Sequence, residues 1–209
     1  VETQLLNLQK KYRAPIFCSI NKRTRSPYID TFCKKFGIAD NQLNLEITPP
    51  VPEILLRAPQ SAPIVVPNFY SCMFHENKCF QLLEKFGKKF DYVIYYRADV
   101  NNTEDLVLKP LQLNTIYAPS YENQSSRILD VDGINNEIAY GNFDSMKIYC
   151  SVVFSLEDMY RDYGVMLHPE LCFKRFLIDR NKIRVEMFDY KYTLHVGRFE
   201  VDPTYDDYE

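Results

Sequence analysis

The stretch Phe90-Asp91-Tyr92-Val93-Ile94-Tyr95-Tyr96-Arg97-Ala98-Asp99-Val100 limits what this chain can fold into more than any other. Its run of β-branched and aromatic residues is strand-sized and does not alternate with polar residues, which predicts a strand buried on both faces. Sheets covered on both faces belong to α/β architectures. The run stops abruptly at Arg97 and Asp99, and ligands of open α/β sheets bind outside the carboxyl ends of the strands. Residues two apart share one face of an extended segment. A guanidinium and a carboxylate there can hold a diphosphate and its divalent cation. The plainer reading makes Asp99 the cap of a following turn and Arg97 half of a surface ion pair.

The remaining pattern alternates helix and strand. Leu5, Leu8 and Tyr12 recur at helical spacing within Glu2 to Tyr12, and Pro15 opens a strand over Ile16 to Ile20. Arg23 to Pro27 is a basic turn, Tyr28 to Phe36 a helix closed by Gly37, and Asn44 to Thr48 a half-buried strand. Pro49 to Pro67 holds six of the twelve prolines, which excludes helix and central strand and predicts a long ordered loop, a lid or acceptor-side flap. A helix over Asn68 to Phe86 ends at Gly87 before the key strand. Beyond it come a capped turn at Asn101 to Asp105, a strand at Thr115 to Pro119, and a polar loop from Ser120 to Asp132. Gly133 to Ala139 leads to Gly141, and Phe143 to Tyr163 is mostly helical. His168-Pro169-Glu170 opens a helix over Leu171 to Ile178, and strands follow at Ile183 to Phe188 and Tyr192 to Val196. No internal repeat interrupts this order.

At 209 residues with 46% hydrophobic content the chain fits one large domain. A net charge of −3, with Lys and Arg scattered among acids, provides no positive field for nucleic acid. Apolar runs stay far below the roughly 20 residues of a membrane helix, and no signal peptide is visible, so a cytoplasmic protein without a membrane span is expected. The six cysteines lie mostly in apolar segments without a CxxC pair, which reads as reduced core thiols. Cys72 and Cys79 around His75 match no common zinc spacing, and His75 itself is read as structural. An opening at Val1-Glu2-Thr3, without methionine, suggests that the numbering begins inside a longer chain carrying further domains.

Three other places carry chemistry. Asp130-Val131-Asp132-Gly133, followed by Asn135, Asn136 and Glu137, offers acids and amides suited to sugar hydroxyls, or else an ordinary polar turn. Glu170 stands at a helix start after proline, where the helix dipole alone favours a carboxylate by about 0.3–1 kcal/mol. Its functional reading is a general base for an incoming hydroxyl. His195 lies among aromatic and aliphatic neighbours, where a lone histidine is more often a satisfied core residue than a ligand.

In this order the four places resemble the signature elements of nucleotide-diphospho-sugar glycosyltransferases of the GT-A fold. Arg97-Ala98-Asp99 resembles the acidic metal motif after the central strand. Asn135-Asn136-Glu137-Ile138-Ala139-Tyr140-Gly141 resembles the glycine-containing loop near the donor sugar, His168-Pro169-Glu170 the motif opening the acceptor-side helix, and His195 the late histidine of the metal site. "FDYVIYYRADV", "GINNEIAYG" and "HPELCFKRFL" resemble, more narrowly, enzymes of large DNA viruses of algae and their bacterial polysaccharide-synthesis cousins. The likeness covers roughly Asn68 to Arg198.

The resemblance implies a single α/β domain over residues 1–198, GT-A-like and Rossmann-like, with a central mixed, mostly parallel sheet flanked by helices. Residues 199–209 form an acidic tail or linker. It implies a UDP-sugar donor, a glycan acceptor, and Mn²⁺ or Mg²⁺ held by Asp99 and His195. Arg97, Asp99, Asn136 and Gly141 would bind the donor, Asp130 and His168 the acceptor, and Glu170 and Asp132 would be catalytic. A viral member would work in the host cytoplasm. Three departures stand out: Arg97 replaces the first acid of the usual Asp-X-Asp, Asn136 stands where an aspartate is common, and the nucleotide-cradling first strand is not recognisable, so either it lies upstream of Val1 or the base is bound differently. The alternative is a non-catalytic nucleotide- or carbohydrate-binding module of the same fold. A metal-dependent phosphoesterase using Asp99, Asp130 and Asp132 ranks behind both.

Overall fold

The computed structural model describes residues 2–21, 28–58, 66–97, 100–102, 104–120, 133–164 and 167–194. It is a mixed α/β structure whose helices are α1 (Glu2–Tyr12), α2 (Tyr28–Phe36), α3 (Glu53–Leu56), α4 (Val66–Lys85), α5 (Phe143–Tyr149), α6 (Leu156–Tyr163) and α7 (Pro169–Lys174). The strands are β1 (Cys18–Asn21), β2 (Leu43–Glu46), β3 (Val93–Tyr96), β4 (Val100–Asn102), β5 (Thr115–Pro119), β6 (Ile138–Gly141), β7 (Arg184–Phe188) and β8 (Tyr192–Leu194). No helix among the described residues is long and apolar enough to cross a membrane.

The principal sheet has the order β3-β6-β5-β7. β6 runs antiparallel to both β3 and β5, and β5 runs parallel to β7. Two small pairs accompany it, parallel β1-β2 and antiparallel β4-β8. The sheet is mixed as expected, but the described pairings are not mostly parallel. β6 inserts between β3 and β5 and pairs antiparallel with both, which leaves β5-β7 as the parallel pair of this sheet among the described residues. β1, α2 and β2, in contrast, form a parallel strand-helix-strand unit.

The apolar run of β3 is unbroken because both of its faces are covered. Val93 and Tyr95 pack into the main core with Phe69, Met73, Phe80 and Leu83 of α4, Met146 and Tyr149 of α5, and Phe173. Ile94 and Tyr96 face the other way, onto a smaller core of Val100, Leu106, Ile138, Tyr190 and Tyr192. A two-strand flap, β4 with β8, therefore closes the second face of β3. The capped turn expected at Asn101 to Asp105 is in part strand, since Val100–Asn102 pairs with Tyr192–Leu194. That pairing satisfies backbone groups a turn would have left to water.

Chain punctuation follows local chemistry. Gly37, Gly87 and Gly164 hold positive φ at helix ends, where a side chain would be strained. Asn142 caps α5 by accepting a hydrogen bond from Ser145 N at 2.8 Å. α7 runs on into a π-helical turn, Arg175–Arg180, of a kind that often marks functional sites. Within the proline-rich segment, α3 is anchored by Leu55, which is 1% exposed. The loop expected from Pro49 to Pro67 is therefore in part helical, with α3 at Glu53–Leu56 and α4 beginning at Val66, while residues 59–65 lie outside the described residues.

His75 on α4 is the polar rivet between this helix and the β1-β2 unit. Its Nδ1 lies 2.9 Å from Ser19 Oγ and its Nε2 lies 3.0 Å from Thr48 Oγ1. Thr48 meets Ser71 at 2.7 Å, and Asn21 donates to both. The expectation of a structural role agrees with this closed network. Burial lowers the readiness of His75 to take a proton, with Glu46 opposing that effect and Lys78 adding to it. In the unfolded chain the ring protonates near its ordinary 6.5, so stability present above that value drains away as pH falls through the lower folded value. Thermal melts should therefore show a fall in Tm from about pH 7 to about pH 5 that is shallower in His75→Gln, at the cost of about 1 kcal/mol at neutral pH.

Candidate functional site

Arg97 lies one residue beyond β3, and its backbone N donates to Glu137 O at 2.9 Å, extending the β3-β6 ladder. Val100 N then donates to Arg97 O at 3.2 Å, folding the chain straight into β4. The Arg97 guanidinium meets the Glu137 carboxylate at 3.7 Å, with side-chain exposures of 22% and 2%. Tyr192 of β8 donates its hydroxyl to Glu137 Oε2 at 3.0 Å, and Asn135 donates its amide to the Tyr192 hydroxyl. Asn135 Oδ1 in turn accepts from the backbone N of Glu137 at 2.8 Å and of Ile138 at 3.2 Å. Two remote segments thus converge on one buried carboxylate.

A second acid lies behind this junction. Glu76 of α4 is 5% exposed, and its Oε1 has no hydrogen-bond partner among the described residues. Burial pushes its carboxyl well above the usual range, against the Cys150 thiol hydrogen bond and the positive charge of Arg97, which favour ionisation. The neighbouring hydroxyls of Tyr95 and Tyr149 are also raised by burial, with Glu76 adding to the effect. The wall behind Arg97 is therefore lined by groups that resist carrying charge.

The third element is the pair His168 and Glu170, with side chains 9% and 6% exposed and His168 Nδ1 directly against Glu170 Oε2. His168 is extended, at φ −129° and ψ 127°, as the residue before Pro169 must be, and α7 begins immediately after it. Glu170 O accepts from Ile134 N at 3.0 Å. A Cβ on Gly133 would stand 2.5 Å from Glu170 Cβ and 2.8 Å from its carbonyl carbon, so only glycine fits there. The exit of the acidic loop is thereby clamped onto the start of α7.

Of the residues singled out in the sequence, Arg97, Asn136, His168 and Glu170 fall on elements joined through the segment 133–137. Asn136 is 7% exposed, between the clamping Asn135 and Glu137. Gly141 is placed elsewhere: its partners are Val93 and Ile116, at the end of β3 away from Arg97. A Cβ there would come within 3.0 Å of Thr115 O, so this glycine serves sheet packing and is not brought to Arg97. Asp99, Asp130, Asp132 and His195 lie outside the described residues. Among the described residues no group of three or more His, Cys, Asp or Glu side chains is arranged to hold a metal ion. All six cysteines are free thiols.

Sequence reasoning passed over Glu76 and Tyr192, and took Glu137 only as part of a polar cluster suited to sugar hydroxyls, not as the partner of Arg97. Glu76 sits in His75-Glu76-Asn77, which reads as a solvated face, yet the whole run from Met73 to Asn77 is buried. Only the covering of α4 on several sides explains this, and periodicity carries no signal for it. No family model and no curated protein matches the chain.

Two measurements check this geometry. A double-mutant cycle of Glu137→Gln and Tyr192→Phe should cost about 1–3 kcal/mol for each single change, with a coupling of at least about 0.5 kcal/mol. Strict additivity would contradict a shared network. For Glu76, the raised folded pKa means that the folded state holds a proton the unfolded state releases near 4.5, so stability falls as pH rises through the folded value. Glu76→Gln should therefore flatten the decline in Tm from about pH 5 to about pH 8.

Proposed function

We propose that this chain is a metal-dependent glycosyltransferase that moves a sugar from a nucleotide-diphospho-sugar, a UDP-sugar, to a hydroxyl of a glycan. The observation that carries the reading is the junction of Arg97, Glu137 and Tyr192 beside the β4-β8 flap. The register of that flap ends at Val100 opposite Leu194. These residues are the immediate chain neighbours of Asp99 and His195, the two residues that would hold the cation. One carboxylate and one imidazole, completed by phosphate oxygens and water, are a donor set that suits Mn²⁺ or Mg²⁺. A bound cation would supply charge neutralisation and Lewis-acid assistance to the departing diphosphate.

The chain's own residues support the remaining roles. Arg97 is a planar fork at a sheet's edge, suited to phosphate oxygens, and Glu137 fixes its orientation. The parallel unit of β1, α2 and β2 is of the strand-helix-strand kind whose carboxyl ends bind ligands in open α/β sheets, and β1 runs directly into Lys22, Arg23 and Arg25 in sequence. Both the GT-A assignment and the activity rest on these supports together with the motif resemblance.

The competing reading, a binding module without catalysis, draws on the pairing of Arg97 with Glu137, which offsets part of the charge a diphosphate would use. A donor-hydrolysis assay separates the two. With Mn²⁺ and a UDP-hexose the wild-type chain should release UDP, chelation should abolish release, and Asp99→Asn should lower it by at least about 10²-fold while leaving the melting temperature within about 3 °C. Metal-dependent binding of UDP without release of product from any donor would favour the module, and full activity in Asp99→Asn would remove the metal assignment.

A further inference from the structure

Cations that lie scattered along the sequence are gathered by the fold. α1 and α2 end side by side, with the Gln9 amide donating to Phe36 O at 3.0 Å. Gln9, Arg13 and Pro15 then share an open groove of about 490 Å³ with Phe86, Lys88 and Phe90, the residues that lead from α4 towards β3. Lys10 and Lys11 stand in the last turn of α1, Lys34 in that of α2 and Lys85 in that of α4. With Arg13 and Lys88 they make six exposed cations at this end of the molecule, and among the described residues none of the six pairs with a carboxylate.

Elsewhere cations are neutralised in place, as Lys78 is by Glu46 and Arg175 by Asp179. Of the acids near the groove, Glu84 is held by Lys147 at 2.7 Å and Asp144 by Lys89 at 3.4 Å. Asp91 and, on the other side of α1, Asp105 remain. A chain whose net charge is −3 thus has one end rich in uncompensated positive charge.

We infer that this end is a docking surface for an anionic lipid membrane, which the protein binds peripherally. The helix dipole favours a lysine in each last turn taken singly. It does not explain the convergence of three such turns, nor the apolar rings exposed between the charges. Tyr12, between Lys11 and Arg13, is 37% exposed, and Phe86, between Lys85 and Lys88, is 41% exposed. Lysines in contact with acidic headgroups, with aromatic rings among them at headgroup depth, are the elements of interfacial binding.

A single-stranded nucleic acid would instead stack its bases on free ring faces. Here Phe86 stacks on Phe90 with centroids 6.3 Å apart and meets Phe17 edge-on at 5.4 Å, while Lys88 Nζ lies 5.4 Å from the Phe90 centroid. The rings are engaged with one another, which leaves them as an apolar cluster more than as a stacking platform. The groove lies at the amino end of β3 and Arg97 at its carboxyl end, so a membrane at the first leaves the second open. The docking surface stands independently of any transferase activity.

Co-sedimentation of the full chain with lipid vesicles tests the assignment. At about 0.1 M salt the chain should pellet with phosphatidylcholine vesicles containing about 30 mol% phosphatidylserine and stay in solution with phosphatidylcholine alone, and about 0.5 M salt should weaken binding at least about tenfold. Lys85→Glu with Lys88→Glu should lower affinity for the anionic vesicles at least about 30-fold, whereas Arg57→Glu with Arg161→Glu, the same charge change made at α3 and α6, should lower it less than about threefold. The chain contains no tryptophan, so Phe86→Trp adds a single indole, whose emission should shift to the blue on anionic vesicles. Equal binding to neutral vesicles, equal weakening by the two charge reversals, or an indole emission unmoved on vesicles that carry the bound chain overturns the inference. Tight binding of polyphosphate or single-stranded nucleic acid with none to vesicles also overturns it, and gives the face to a soluble polyanion.

Discussion

One buried carboxylate organises this molecule. Glu137, with its side chain 2% exposed, cannot carry charge away from water without partners, and its partners come from segments remote from it in sequence. Arg97 arrives from the end of β3 and Tyr192 from β8, while Asn135 holds the loop that presents Glu137 itself. Removing any one leaves the others buried and short of a partner, which costs more than the net worth of a hydrogen bond formed. The network therefore specifies where the β4-β8 flap sits against β3, something apolar contact between Ile94, Tyr96 and Val100 would leave less sharply defined.

That placement links fold to chemistry. β3 runs through two cores and emerges at Arg97, the chain turns at once into β4, and β4 pairs with the strand that precedes His195 in sequence. From the other side, Gly133 and Ile134 press onto Glu170, so the segment from 133 to 137 touches α7 at one end and Arg97 at the other. A short piece of chain thus joins Arg97 to the start of α7. Glu76, kept from ionising by burial, lines the wall behind Arg97 without adding a second negative charge there.

Much of the secondary structure was legible in the sequence. α1 and α2 fall where helical spacing and Gly37 put them, and the unbroken apolar run of β3 correctly signalled cover on both faces. Strand pairing was not legible, because direction depends on which strands a connection brings together: β6 inserts antiparallel between β3 and β5, and Asn101 and Asn102, turn-like in composition, are held in a strand by β8. Of the site, Arg97, His168 and Glu170 were visible as charged or titratable residues at abrupt ends of apolar runs. Tyr192 was not, and Glu137 was visible only as a member of a polar cluster, since the role of each depends on a partner from a distant segment. Gly141 drew attention as a loop glycine, but its reason lies in the close approach of Thr115 O across the sheet.

The most direct test of the account is a crystal structure of the full chain with UDP and Mn²⁺. The account predicts a cation held by Asp99 and His195 at the diphosphate, with the Arg97 guanidinium on a phosphate oxygen. A nucleotide bound far from Arg97, or a cation on the diphosphate that neither Asp99 nor His195 ligates, would contradict it.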